Sequence, residues 1–291
     1  MSLKSRIPWQ AKIATKIVLS RLPVRNGIWH RLNLFSHGFM DKPEYALGVF
    51  QRHYERADFA RKGKDFVCLE VGPGDSLASA VIARAHGASR TILLDAGSFA
   101  TQDLRLYRMT AKLLSERGLH APQIDGAASI AEILEICSAS YVIDGLASLR
   151  QVPSASVDFI WSHAVLEHIR VDEFLPTMNE LRRVLRPDGV CSHRVDLQDH
   201  LAGELNNMRF SSRLWERNWM ARSGFYTNRI RMRQMVSLFE AAGFAVDVPW
   251  TARWSHLPTP RSAMAAEFRD LTDAELLIYA FDAVLRPIGT T

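Results

Sequence analysis

The chain has 291 residues, of which 47% are hydrophobic and 23% charged, the balance of a globular protein with one large core. This composition excludes a disordered or repeat protein, and every apolar stretch is too short to span a bilayer. The three cysteines form no CxxC pair, and Lys12 and Lys16 interrupt the apolar stretch that a signal peptide would need. We therefore expect a cytoplasmic protein.

The positive charge is concentrated at the start of the chain. Residues 1–64 hold thirteen Lys and Arg against four Asp and Glu, whereas the remainder carries a net charge of −4. Trp9, Ile13 and Ile17 recur on one face of a predicted helix that Lys12 and Lys16 flank. Such a helix packs on the domain as a lid, which we favour, or makes peripheral contact with an anionic inner membrane. Nucleic acid is not an expected partner, because no aromatic-rich binding module accompanies the basic arm.

Strands alternate with helices from about residue 63. Short apolar runs bounded by turn residues predict strands at 66–71, 91–94, 141–143, 157–161, 190–195 and 244–248. Helical periodicity predicts a helix after the glycine loop that ends near Gly87, one through Phe174 and Leu181, and one over 229–242. A capping box at Thr272 predicts a terminal helix.

This order of elements predicts an α/β fold with a doubly wound, mostly parallel sheet that carries helices on both faces. We expect three regions along the chain. They are a basic helical N-terminal arm or lid (1–62), the sheet domain (63–250) with a polar insertion after the fifth strand (about 198–228), and a C-terminal helical extension (251–291).

The first two strand ends predict an adenosine cofactor, since ligands of such sheets bind beyond the carboxyl ends of the strands. The loop from Glu70 to Ser76 contains Gly72 and Gly74, which let the backbone approach a ligand closely. Asp95 ends the second strand, where a carboxylate can accept hydrogen bonds from ribose hydroxyls. A nicotinamide-dependent oxidoreductase is a weaker alternative, because Leu77 replaces the third glycine of the dinucleotide fingerprint.

Four segments resemble successive motifs of class I S-adenosylmethionine-dependent methyltransferases: VCLEVGPGDS, TILLDAG, SASVDFIWSHAVLEHI and LRRVLRPDGV. They span about residues 65–195. The later SHRVDLQDH and FYTNRIR are similar to a bacterial branch associated with polysaccharide and small-metabolite biosynthesis. The resemblance implies S-adenosylmethionine as the cofactor and a Rossmann-like methyltransferase fold with a seven-stranded sheet.

The same resemblance implies roles for the residues at the strand ends. Glu70, Gly72 and Gly74 would hold the methionine and ribose portions of the cofactor, and Asp95 the ribose hydroxyls. Further roles fall to Asp144 at the adenine amino group, to the N–H of Gly145 facing the ring, and to Ser162 and His163 beside the methyl group. Asp144 is open to a second interpretation, in which it begins a turn.

The end of the fifth strand supplies candidates for proton removal. His193, Asp196 and His200 provide the imidazole and carboxylate groups that a general base and its orienting partner require. No metal is predicted, because Asp196 and Asp199 are too few ligands for a divalent cation. His168 is expected to make a structural hydrogen bond.

The acceptor is predicted to be a small molecule or a saccharide, methylated on oxygen. The turn at 161–164 lacks the Asn-Pro-Pro pattern that accompanies methylation of exocyclic amines. Asn228 and Arg229 are predicted to bind an anionic acceptor, because a guanidinium suits phosphate and carboxylate groups; Arg231 and Arg233 are expected at the surface. The alternative function is a non-catalytic cofactor-binding or membrane-docked partner protein.

Overall fold

Seven strands pair into one sheet in the computed structural model, which describes residues 40–59 and 63–289. The strands are β1 (Phe66–Val71), β2 (Ala88–Leu94), β3 (Ala139–Val142), β4 (Val157–His163), β5 (Leu185–Asp196), β6 (Phe244–Arg253) and β7 (Ile278–Pro287). Their order in the sheet is β3-β2-β1-β4-β5-β7-β6, and the first five are mutually parallel. The order reverses beside β1, so a crevice opens where β1 and β4 end.

Eleven helices are present among the described residues. They are α1 (Pro43–Arg56), α2 (Ala78–Ala85), α3 (Leu104–Glu116), α4 (Ile130–Ile136), α5 (Leu146–Gln151), α6 (Val171–Val184), α7 (Ser212–Trp215), α8 (Asn218–Ala221), α9 (Met232–Ala241), α10 (Ala266–Arg269) and α11 (Asp273–Leu276). Turns of 3-10 helix add Leu166–His168, Asn206–Arg209 and Arg261–Ala263. None of the helices is long and apolar enough to cross a bilayer.

The core forms two layers, one on each face of the sheet. Successive residues of β1 alternate between them, because side chains of a strand point to opposite faces: Cys68 packs with α1 to α4, and Leu69 packs with α6 and α9. Phe50 and Tyr107 fill the first layer, and Phe174 and Phe239 the second. This arrangement confirms the predicted doubly wound, mostly parallel sheet.

The predicted C-terminal helical extension is wrong. Thr272 does form the capping box, but the helix that it begins, α11, ends at Leu276. The chain then enters β7, which runs antiparallel between β5 and β6. Tertiary pairing overrides the local helix signal here, and residues 251–253 likewise belong to β6.

The predicted N-terminal arm is integrated into the domain where the structure describes it. Pro43 begins α1, a position that proline favours, and Ala46, Leu47 and Phe50 are buried against the first core layer. The amphipathic stripe of Trp9, Ile13 and Ile17 lies outside the described residues, so the lid and membrane-contact interpretations stay predictions. The insertion around 198–228 contains α7 and α8 and builds a small core of its own around Trp215.

Candidate functional site

A cavity of about 1100 Å³ lies at the carboxyl ends of the parallel strands. One end is walled by the glycine loop after β1, the residues after β2 and the turn before α5; the other is walled by the ends of β4 and β5 and the insertion. Typical sites for one drug-sized ligand occupy about 300 to 1,000 Å³. The cavity therefore has room for a nucleoside cofactor and a second small molecule.

The glycine loop requires glycine for steric reasons. Gly72 has φ +73° and Gly74 has φ +63°, a region that other residues seldom adopt. A Cβ atom on Gly72 would also lie 2.5 Å from the side chain of Val165, inside any normal contact distance. Both glycines line the cavity, so the loop presents backbone atoms to the ligand at close range.

Asp95 holds the glycine loop against the end of β2. Its carboxylate accepts hydrogen bonds from the N–H of Gly74 at 3.0 Å and from the N–H of Ala96 at 2.7 Å. The carboxylate also lines the cavity, and an ionised carboxylate has acceptor capacity beyond two hydrogen bonds. The structure thus places Asp95 where it can meet ribose hydroxyls; that role stays a prediction.

Glu70 is a buried carboxyl group in a strand of apolar neighbours. Burial raises its pKa to about 8; a hydrogen bond from the Ser79 hydroxyl opposes this, and the nearby Asp95 charge adds to it. The side chain borders the cavity. Near neutral pH Glu70 therefore carries a proton for much of the time and can both donate and accept hydrogen bonds.

The turn after β3 places Gly145 at the cavity but not Asp144. Gly145 and Leu146 line the wall on this side, whereas Asp144 is exposed and outside it. The Asp144 N–H donates to the Ser148 hydroxyl, and its carbonyl accepts from the N–H of Ala147. The structure therefore favours the turn interpretation of Asp144 over contact with adenine.

Strand alternation decides which predicted residues of β4 and β5 reach the cavity. His163, Arg194 and Asp196 line it, whereas Ser162 and His193 point to the opposite face and are completely buried. The Ser162 hydroxyl lies 2.7 Å from His193 Nδ1. Burial lowers the pKa of His193 to about 3. The predictions that His193 is a general base and that Ser162 lies beside the methyl group are therefore wrong, because neither side chain reaches the cavity.

A cluster of positive charge surrounds His163. The Arg194 guanidinium forms a two-point ion pair with the buried Asp282 of β7, and Arg56 of α1 reaches the same carboxylate at 2.6 Å. Burial, then Arg194 and Arg52, lower the pKa of His163 to about 4. Arg194, which was not among the predicted site residues, is a half-buried part of the cavity wall. Its pairing with Asp282 depends on a strand that was predicted as helix.

The acceptor end of the cavity carries Asp196, His168 and His200. Burial raises the pKa of Asp196, and hydrogen bonds from Gln198 oppose the shift. Asp199, the other carboxylate of this segment, does not face Asp196 as a second metal ligand would, because it accepts the N–H groups of three residues in its own loop: Leu201, Ala202 and Asn206.

Glu167 is buried directly behind these residues. It is 1% exposed, and neither carboxylate oxygen has a hydrogen-bond partner of good geometry in the part of the chain that the structure describes. Burial and the charge of Asp196 raise its pKa well above the usual value, although the backbone N–H groups of Glu167 and Asp196 oppose this. Its neighbour His168 places Nδ1 2.8 Å from the carbonyl oxygen of Tyr226, which confirms the expected structural hydrogen bond.

A family model described as a methyltransferase domain matches residues 69–192, from β1 into β5. The match identifies residues 69–192 as a methyltransferase domain, of the S-adenosylmethionine-dependent kind. Its cofactor is S-adenosylmethionine. The match covers the ends of β1, β2 and β3, which wall the cofactor end of the cavity.

Solved structures of methyltransferases are among those to which this chain is similar. An S-adenosylmethionine-dependent methyltransferase of Methanosarcina mazei has 15% identity over 78% of this chain and 94% of that chain, with a TM-score of 0.47. A phosphoethanolamine N-methyltransferase of Haemonchus contortus has 14% identity over 97% and 61%, with a TM-score of 0.49. The DhpI complex with S-adenosylhomocysteine has 12% identity over 97% and 99%, with a TM-score of 0.43. A search of curated proteins found no match.

Asn228 and Arg229, predicted to bind the acceptor, make hydrogen bonds inside the protein and do not line the large cavity. Asn228 Nδ2 donates to the carbonyl oxygens of Leu166 and Ile169, at 2.8 and 3.0 Å. Arg229 is buried and donates to the Phe210 carbonyl at 2.7 Å. Their prediction as substrate ligands is therefore corrected.

The expected surface position of Arg231 is also wrong. Arg231 is 3% exposed and donates to the carbonyls of Leu197 and Leu276. The guanidinium groups of Arg229 and Arg231 donate to backbone carbonyl groups that only the folded chain brings together, so these partners cannot be identified from the sequence. Arg233 is exposed, as expected.

Proposed function

We propose that this methyltransferase methylates a hydroxyl oxygen of a small-molecule or saccharide acceptor. The observation that carries the proposal is the Asp196 carboxyl group at the acceptor end of the cavity. A hydroxyl must lose its proton as the oxygen is methylated, and a partly buried carboxylate with a raised pKa is a competent proton acceptor near neutral pH.

The cofactor side of the cavity fits S-adenosylmethionine. The close approach at Gly72 and the carboxylate of Asp95 suit an adenosine group, and Glu70 lies on the same wall. When bound, the cofactor supplies an activated methyl group on a sulfonium. The contribution of the protein is then to align the acceptor, and alignment accounts for about 7 to 11 kcal/mol of the barrier in favourable reactions.

The proposal that the acceptor is anionic is supported by the position of Arg194, which takes the place of Arg229 as the candidate partner of the negative charge. Arg56 and Arg194 share the single carboxylate of Asp282, so this group of three charges has an excess of one positive charge. Arg194 faces the cavity, where its guanidinium also lies 4.1 Å from the ring centre of Trp250. A planar guanidinium beside an aromatic wall suits an acidic or phosphorylated sugar.

The test is a screen of neutral, acidic and phosphorylated sugars with labelled cofactor, in which the methylated atom of each product is assigned by NMR. Once an acceptor is found, Asp196→Asn should lower kcat by roughly 10² to 10⁴ and leave cofactor affinity unchanged. Asp172→Asn, which removes an exposed carboxylate on α6, is the matched control. Methylation on nitrogen or carbon, or near-normal turnover of Asp196→Asn, would contradict the proposal.

A further inference from the structure

We propose that Glu167, His168 and His200 bind one divalent metal cation at the acceptor end of the cavity, where the cation also binds the acceptor hydroxyl. The metal site stands on the geometry of these three residues. Only its role toward the acceptor rests on the proposed function.

The three side chains converge on one point. One carboxylate oxygen of Glu167 and one ring nitrogen from each histidine all lie within 4.8 Å of one another, and the two imidazole ring centres are 4.7 Å apart. Ligands that share an ion through bonds of about 2.1 Å can be separated by at most about 4.2 Å. The 4.8 Å separation is an upper limit, and a small rotation of the exposed His200 imidazole shortens the distances to its ring nitrogen.

Glu167 supplies an independent indication of a ligand. Leaving a buried carboxyl group without a hydrogen bond costs free energy, yet among the described residues neither oxygen of Glu167 has a hydrogen-bond partner of good geometry. A cation bound to the Glu167 carboxylate would explain why this group is buried without a hydrogen bond. The alternative explanation is a single water molecule bound there.

His168 is held in the orientation that a metal ligand needs. Because a carbonyl oxygen can only accept, the contact with Tyr226 requires the proton on Nδ1 and therefore places the lone pair on Nε2. Such a second hydrogen bond typically orients histidines that bind metals. Asn228 fixes the turn itself, because its side chain donates to Leu166 and its N–H donates to the carbonyl of Glu167.

The ligand set defines the class of metal and its chemistry. Two imidazole nitrogens and one carboxylate oxygen suit transition metals such as Mn²⁺, Fe²⁺ or Zn²⁺, and they leave coordination positions open. A hydroxyl bound at an open position is acidified by the cation, and its proton passes to Asp196. A C–O bond then forms as the C–S bond of the sulfonium breaks, and neutral S-adenosylhomocysteine leaves.

Manganese binding tests the site without any acceptor. We would treat the full chain with a chelator, titrate it with Mn²⁺, follow free Mn²⁺ by electron paramagnetic resonance, and compete with Zn²⁺. We expect one Mn²⁺ per chain that Zn²⁺ displaces. Glu167→Gln, His168→Gln and His200→Gln should each weaken binding by about 10- to 100-fold. His256→Gln, an exposed histidine next to Ser255, is the matched control and should bind as wild type does.

Binding of S-adenosylmethionine, measured on the same samples, separates the two proposals. Loss of Mn²⁺ binding with intact cofactor binding supports the metal site, and wild type that binds cofactor but neither metal overturns it. Unchanged Mn²⁺ binding in the three variants also overturns it. Because His200 is exposed in a loop, His200→Gln decides the question even if Glu167→Gln does not fold. A variant with normal metal binding and no O-methylation would count against the proposed function alone.

Discussion

Two carboxyl groups, those of Glu70 and Asp95, are buried at the cofactor end of the cavity. Glu70 is 2% exposed near the carboxyl end of β1, and one side-chain hydrogen bond, from Ser79, only partly offsets the cost of ionising it there. Asp95 is also buried, but its carboxylate accepts backbone N–H groups from its own turn and from the glycine loop. Two carboxyl groups on one wall thus have different hydrogen-bond partners.

Glu70 should make stability depend on pH in a direction set by its raised pKa. The folded state holds the proton up to about pH 8, whereas the unfolded chain releases it near 4.5. The stabilisation of the folded state by this bound proton is therefore complete below pH 4.5 and is lost as the pH rises through 8. Over this range the free energy of unfolding falls by up to about 1.4 kcal/mol per pH unit. Urea unfolding of cofactor-free Glu70→Gln should show a shallower decline between pH 5 and 8. Parallel curves for wild type and Glu70→Gln would refute this, and the exposed Glu240→Gln serves as control.

Asp95 should contribute directly to cofactor affinity. If the Asp95 carboxylate accepts hydrogen bonds from the ribose, as predicted, Asp95→Ala should weaken cofactor binding by about 1.5 to 3 kcal/mol. Calorimetric titration with S-adenosylmethionine measures the change, and the exposed Asp125→Ala should bind as wild type does. An unaltered dissociation constant for Asp95→Ala would leave this residue only its role in holding the glycine loop.

At the scale of secondary-structure elements, the sequence predicted best what is locally determined. β1, β2 and β4 are continuous apolar runs next to turn residues, and the cofactor-side loop follows directly from its glycines. β7 was missed because a true capping box at Thr272 precedes it and the following residues suit a helix equally well. His193 was misassigned because only the register of β5 decides which of its residues reach the cavity.

Arg229, predicted from the sequence to bind the acceptor, instead holds helix α7 in place. Its guanidinium joins the Phe210 carbonyl and the Ser212 hydroxyl and packs against Trp215, which together hold α7 in place. Arg229→Ala should therefore lower the free energy of unfolding by about 1.5 to 3 kcal/mol through the lost charged hydrogen bonds. The exposed Arg213→Ala on α7 should have little effect. A normal unfolding midpoint combined with a raised KM for the acceptor would restore the substrate-binding interpretation.

Across the whole molecule, Asp282 connects distant parts of the chain. It is completely buried in β7, lies opposite Arg194 in the ladder with β5, and also pairs with Arg56 of α1. The sequence could not reveal this junction, because its three members come from widely separated segments whose pairing depends on the position of β7.

Removing the charge of Asp282 should destabilise the entire domain. Asp282→Asn leaves two guanidinium groups without their shared carboxylate, a change that typically costs about 3 to 5 kcal/mol when a buried pair is broken. Denaturant unfolding should show the loss as one cooperative transition. Asp247→Asn, an exposed carboxylate on the adjacent β6, is the control. A loss no greater than that of the control would show that solvent compensates the two arginines.

The position of β7 also bears on synthesis of the protein. It follows every other strand in chain order, yet it lies between β5 and β6 in the sheet. On the ribosome, β5 and β6 therefore emerge before the strand that joins them, and the nascent chain carries unpaired strand edges that are prone to aggregation. The cofactor half, built on β1, β2 and β4, can assemble during translation. The acceptor half is completed only after residues 278–287 have left the exit tunnel, so chaperones that shield nascent strands would act at this stage.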